Sequence, residues 1–122
     1  MAKESLRDMV IPEIPEREAV LKEGIVDTLA IVSGKRRRFS YKYALTERGV
    51  WMRSKGFLWI QPKTSFMAYA DIDYYKRTKL FMTDTLMFFP KNGKRPANHI
   101  LFDDMQGAIE ILSRFIRLSE EK

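Results

Sequence analysis

The segment DDMQGAIEILSRFIRL, residues 103–118, breaks the rhythm of the chain that precedes it. Met105, Ala108, Ile109, Leu112, Phe115 and Ile116 recur at steps of three and four, which is the spacing of one helix face. Ile111 and Leu118 widen that stripe, and Asp103 or Asp104 can cap the free N–H groups at its start. A helix this apolar on one side needs a partner surface. The preceding residues offer one, because they alternate at the period of strands.

Working back from the helix, HILF (99–102) and TLMFF (85–89) read as short strands separated by the loop KNGKRPAN (91–98). TSFMAYADIDYYK (64–76) alternates for too long to be one strand, which predicts a break near Ala70–Asp71. FLWIQ (57–61), VWMRS (50–54), YKYALT (41–46) and IVDTLAIVS (25–33) complete the set. In YKYALT, Tyr41, Tyr43 and Leu45 share one face. About seven antiparallel strands closed by one C-terminal helix predict a mainly β fold of the α+β kind, a curved sheet or barrel with the helix plugging its open end. Ahead of it, residues 1–24 read as an arm and a short helix. Pro12 and Pro15 bracket Ile14. PEREAVLKEG (15–24) has proline first, acids early and glycine last, the local pattern of a short helix. Met9, Val10, Ile11 and Ile14 make the arm apolar enough to dock on its own domain or on a neighbour.

The chain has 122 residues, which suits one domain with one core, residues 25–122. It has no cysteine, so a disulfide framework, a cysteine–zinc site and a thiol nucleophile are excluded. No apolar run reaches the roughly 18 residues that span a bilayer, and residues 1–18 lack a signal-peptide core. The expected location is cytoplasmic, with peripheral attachment to a membrane as an option. The net charge of +6 is unevenly spread. Residues 25–102 hold fifteen bases against five acids, whereas the flanking segments carry an excess of acids. A basic middle attracts anionic partners and also aids solubility.

Three stretches resemble the bacterial pleckstrin-homology-like domains: the hairpin YALTERGVWM (43–52), the strand and acidic turn SFMAYADIDYYK (65–76), and the ending ILFDDMQGAIEILSRFI (100–116). The resemblance spans roughly residues 20–118 and leaves the proline-bearing arm outside. It implies a seven-stranded barrel with a helical plug. It implies no single activity, because such domains are reused as binding and assembly modules.

The residues give little purchase for catalysis. His99 is the one histidine, Asp71 and Asp73 suit a turn, and Asp103 and Asp104 suit a helix cap. Phosphate-loop, nucleophile-elbow and zinc-ligand spacings are missing, so the expectation is a non-catalytic protein without cofactor or metal. The strongest binding feature is GKRRRFSYKY (34–43). Lys35, Arg36, Arg37 and Arg38 are expected to form the loop between the first two strands, with Lys42 extending the patch. In eukaryotic pleckstrin-homology domains, which this arrangement resembles, that loop contacts phosphoinositide headgroups. Guanidinium groups bind phosphate oxygens bidentately, so anionic lipid or phosphate is the candidate ligand, against a plain solubilising hairpin tip. The alternative is a small nucleic-acid-binding β-barrel. It would use Phe39, Tyr41, Tyr43, Trp51 and Trp59 for stacking, although such strand aromatics more often face a core. Two further basic groups, Lys76/Arg77/Lys79 and Lys91/Lys94/Arg95, have no assigned position. A protein partner or a second copy could instead engage the arm or an edge strand.

Overall fold

The computed structural model describes residues 10–32, 34–55, 59, 61–80, 83–91 and 98–119. Strand β1 (Val20–Val32) pairs antiparallel with β2 (Lys35–Thr46), β2 with β3 (Gly49–Ser54), and β3 with β4 (Thr64–Ala68). A single 3₁₀ turn, Tyr69–Asp71, leads into β5 (Ile72–Leu80), which pairs antiparallel with β6 (Thr83–Pro90), and β6 with β7 (Asn98–Ile100). Helix α1 (Met105–Leu112) follows, and β8 (Arg117–Leu118) runs parallel beside β5.

The fold is mainly β with one α-helix, as the alternation predicts. It differs in closure and count. The strands form two four-stranded sheets, in the orders β1-β2-β3-β4 and β7-β6-β5-β8. Among the described residues there are eight strands, and no ladder joins the sheets into a closed barrel. One core lies between them. Tyr43, Leu45 and Val50 enter it from the first sheet, and Tyr75, Leu86 and Phe88 from the second. Ala108 and Leu112 of α1 are fully buried against it.

The long alternating run breaks where expected, at the 3₁₀ turn. A second irregularity lies in the β5–β6 register between Ile72 and Tyr74. Strict alternation would place Ile72 and Tyr75 on opposite faces. The bulge inserts a residue between them, and both are buried in the core.

Two helix expectations need correction. Residues 15–24 form no helix: turns occupy 16–18 and β1 begins at Val20. The local signals of proline, early acids and glycine are overridden by pairing with β2, which reaches Val20 opposite Thr46. Gly24 is a mid-strand residue facing Tyr43, where a Cβ would lie 2.5 Å from Asp103 Oδ1. The C-terminal helix stops at Leu112 rather than Leu118. The backbone N–H groups of Arg114 and Phe115 bond back to Ile111 and Leu112 in tight turns, and the chain then joins β5. The apolar stripe still finds cover. Ile116 is buried, and Phe115, though partly exposed, stacks on Tyr69 with ring centroids 4.6 Å apart. The strand expected at FLWIQ lies mostly outside the described residues.

Tyrosine hydroxyls tie the layers together. Tyr41 Oη donates to the Leu101 carbonyl and accepts from its N–H at 3.0 Å. Tyr43 Oη donates to Asp103 Oδ1, and Tyr69 Oη donates to the Thr46 carbonyl at 2.8 Å. Tyr75 Oη lies 2.7 Å from Ser113 Oγ. Asp104 caps α1 through the Gly107 N–H and holds Lys22 of β1 at 3.0 Å.

Burial raises the pKa of Tyr41, Tyr43, Tyr69 and Tyr75 above the usual phenol value, and the Asp103 carboxylate pushes Tyr43 further. A phenol whose folded pKa is raised contributes stability that is intact below about pH 10 and lost above it. Most of the tyrosinate absorbance from the five tyrosines should therefore appear only as the far-UV dichroism collapses at alkaline pH. A complete transition near pH 10 with the sheets intact would contradict this hydroxyl network.

Candidate functional site

The four cations of the KRRR run are not in a loop. Val32 pairs with Lys35, so only residues 33 and 34 connect β1 and β2. Gly34 takes φ +77°, a conformation that suits glycine in a two-residue hairpin connection. The ladder can therefore continue to the tip. Lys35, Arg36, Arg37 and Arg38 become the first four residues of β2, opposite Val32, Ile31, Ala30 and Leu29. All four are exposed.

Strand alternation splits them between two faces. Lys35 and Arg37 share the face of Phe39, whose ring centroid lies 5.4 Å from the Arg37 guanidinium. Arg36 and Arg38 point the other way. Arg38 forms an exposed ion pair with Asp27 at 2.8 Å. Leu29, directly opposite Arg38, is 58% exposed. An apolar side chain thus stands in water among guanidinium groups. Its outward parity is readable from Val26 and Ala30, which lie inward, and from Asp27, which does not.

Lys42 stands apart from the exposed run. It is four residues on from Arg38, about 13 Å along a strand. Its side chain is only 12% exposed and lies 4.0 Å from Glu23. The other basic groups are not gathered at the tip by any described contact. Arg77 makes a two-point contact with Asp84 at 3.2 and 2.8 Å. That bond holds the Asp84 carboxyl below its usual range. Lys76 lies over the stacked rings of Tyr74 and Phe89. Lys91 is exposed beside the 3₁₀ turn, where its N–H donates to the Asp71 carbonyl. Lys94 and Arg95 lie outside the described residues.

The residues considered for catalysis or metal binding hold structural positions. Asp104 is the helix cap, Asp103 is the acceptor for Tyr43, and Asp71 and Asp73 are exposed around the turn. His99 Nδ1 lies 3.4 Å from the buried Thr85 hydroxyl, itself 2.7 Å from Thr78 Oγ1. Burial and the nearby Arg37 charge lower the His99 pKa. Among the described residues no three His, Cys, Asp or Glu side chains are arranged to hold a metal ion. No helix among them is long and apolar enough to cross a membrane. Two clefts, of about 400 and 550 Å³, follow the corner from β4 to β5, and neither is lined by Lys35, Arg36, Arg37 or Arg38.

The aromatic residues divide. Phe39, Tyr41 and Tyr43 pack in or against the core, which removes them as stacking platforms. Trp51 lies on the opposite face of its sheet, paired with Ala44 and Phe66, and Trp59 is 82% exposed.

Replacing Arg36, Arg37 and Arg38 together by serine should change the unfolding free energy measured in urea by less than about 1 kcal/mol, because the group is exposed and its ion pair with Asp27 is solvated. Lys42→Ser should cost more than that triple change, since the covered lysine stem packs against the sheet. The reverse order would show that the tip, not Lys42, carries structural weight. Comparison of the chain with protein-family models, with curated proteins and with solved structures gives no match.

Proposed function

We propose that the protein is a non-catalytic, pleckstrin-homology-like binding module that docks on anionic phospholipid surfaces through the end of the β1–β2 ribbon. The order of elements supports the likeness: a meander of four strands, a meander of three, then a helix packed on the core. The observation that carries the function is the exposure of Lys35, Arg36, Arg37 and Arg38 at one end of the molecule, with Leu29 exposed among them. Each basic residue near an anionic leaflet contributes roughly 1 kcal/mol, so four give weak, reversible, salt-sensitive attachment. Leu29 adds a small apolar contact at the boundary between headgroups and chains. The module would reside in the cytoplasm and associate peripherally with the membrane.

A small single-strand nucleic-acid binder is the competing reading, favoured by the exposure of Trp59.

Co-sedimentation with phosphatidylcholine vesicles containing phosphatidylserine separates the two. The pelleted fraction should fall to the neutral-vesicle level at about 0.5 M NaCl, where the Debye length is only a few ångströms. R36S/R37S/R38S should weaken binding about tenfold or more, and Leu29→Ser should weaken it further. Equal pelleting with neutral vesicles, or no effect of the triple substitution, would overturn the lipid reading. Tight capture of a single-stranded oligonucleotide through Trp59 would replace it with the alternative.

A further inference from the structure

The segment ahead of β1 carries chemistry that the basic ribbon does not use. Residues 10–18 lie across the outer face of the first sheet. Glu13 accepts from Arg53 Nη1 at 3.2 Å, and Arg53 also reaches Thr64 Oγ1 at 2.7 Å. Glu18 accepts from Trp51 Nε1 at 2.6 Å and from Arg48 Nη1 at 3.3 Å. Its side chain is 2% exposed. Behind these contacts, the Trp51 and Phe66 rings lie 4.3 Å apart, and Arg48 sits 5.9 Å from the Phe66 centroid.

The way the segment is held matters as much as what it touches. Its own backbone bonds close within it, from the Ile14 N–H to Ile11 and from the Glu18 N–H to Pro15. Backbone bonding to the body begins only at Ala19, whose carbonyl accepts from Glu47. Among the described residues, the hold on 10–18 therefore comes from side chains: two carboxylates and the buried Ile11. Val10, Pro12, Pro15, Glu16 and Arg17 are exposed. A strap attached this way can leave without breaking a ladder.

We propose that the Arg48–Trp51–Arg53 face is a docking surface for a proline-bearing acidic peptide of a partner protein, and that residues 10–18 are its resident intramolecular competitor. Charge and geometry select that occupant. Two guanidinium groups and an indole N–H are pure donors, matched here by two carboxylates five residues apart on a proline-bearing chain folded into two successive tight turns. The Trp51–Phe66 pair supplies the apolar backing that such an interface needs at its centre. This surface is separate from the basic ribbon, and its fate is independent of the lipid reading.

The test uses the full chain with Trp59→Phe, which leaves Trp51 as the single indole reporter. E13Q/E18Q should release the strap and shift Trp51 emission to longer wavelength. A labelled peptide of residues 8–19, DMVIPEIPEREA, should then bind the released chain at least about tenfold more tightly than the parent chain, because the competitor in cis has been weakened. Adding Arg53→Ser should abolish that gain, and salt should diminish it. An unchanged peptide affinity despite a shifted Trp51 emission would overturn the proposal. So would preferential capture of an oligonucleotide, or a wild-type dimer formed by exchange of arms. Should E13Q/E18Q fail to fold, NMR of the unmodified chain serves: rising peptide should drive the resonances of residues 10–18 toward random-coil positions. Resonances that stay in place at saturating peptide would refute displacement.

Discussion

The junction of Tyr43, Asp103 and Gly24 constrains the rest of the structure. Tyr43 is fully buried, so its hydroxyl must find a partner inside the protein. Asp103 supplies it, immediately ahead of the helix. The carboxylate fits there only because the β1 residue facing Tyr43 is Gly24, with no side chain to meet it. The next residue, Asp104, caps α1 and takes the Lys22 ammonium. Two adjacent aspartates thereby anchor the helix start to both β1 and β2. With that end placed, Ala108 and Leu112 are directed into the space between the sheets. The second sheet fastens the other end through Tyr75 and Ser113. Of the two aspartate pairs in the sequence, it is Asp103 and Asp104 that perform this bracing.

The bracing also explains why the first hairpin can be long. β1 and β2 pair over twelve residues of β2, but the core grips mainly the part nearer Thr46, where Tyr43 to Thr46 are all buried. Beyond Phe39 the strands continue as a two-stranded ribbon with exposed side chains on β2. A two-stranded ribbon has little stability of its own. This one is fastened at its base, and its tip is free to carry charge. Four adjacent cations repel one another, and the strand spreads that repulsion over two faces rather than crowding it into a turn. The apolar Leu29 in this setting contributes nothing to the core. In the proposed docking it supplies the apolar contact beside the cations.

Much of the fold was legible from local pattern. The inward set Tyr41, Tyr43 and Leu45, the break at Ala70–Asp71 and the capped apolar helix all follow from periodicity and turn chemistry. What was not legible depended on distant partners. PEREAVLKEG has every local feature of a short helix, yet its second half is a strand because β2 lies beside it. The helix end was hidden because Phe115 and Ile116 keep the helical spacing while the backbone has already turned. The bulge beside Asp73 leaves no mark in an alternating run. The candidate site was half legible: the KRRR run and its exposure follow from composition, but its place in a strand depended on the two-residue connection at Gly34. Trp51 was misassigned for a similar reason. Alternation says that it lies opposite Val50 and Met52, but only the arm reveals that the face it occupies is covered.

That cover bears on how a basic protein can keep two anion-seeking surfaces apart. The face bearing Arg48 and Arg53 is neutralised from within the chain by Glu13 and Glu18, while among the described residues Asp27 is the one acid paired with the four cations of the ribbon end. Acids concentrated before residue 25 and bases after it are therefore not just a compositional bias. Folding brings part of the acidic segment onto part of the basic one and leaves the remainder uncompensated at the tip. A ligand for the tip meets open charge and associates quickly, with a strong dependence on salt. A ligand for the covered face must first displace carboxylates already in hydrogen-bonding geometry, so its apparent affinity is reduced by the fraction of chains with the strap in place. If both proposals hold, the same charge separation along the chain would yield one surface that responds to ionic attraction and another that responds to competition.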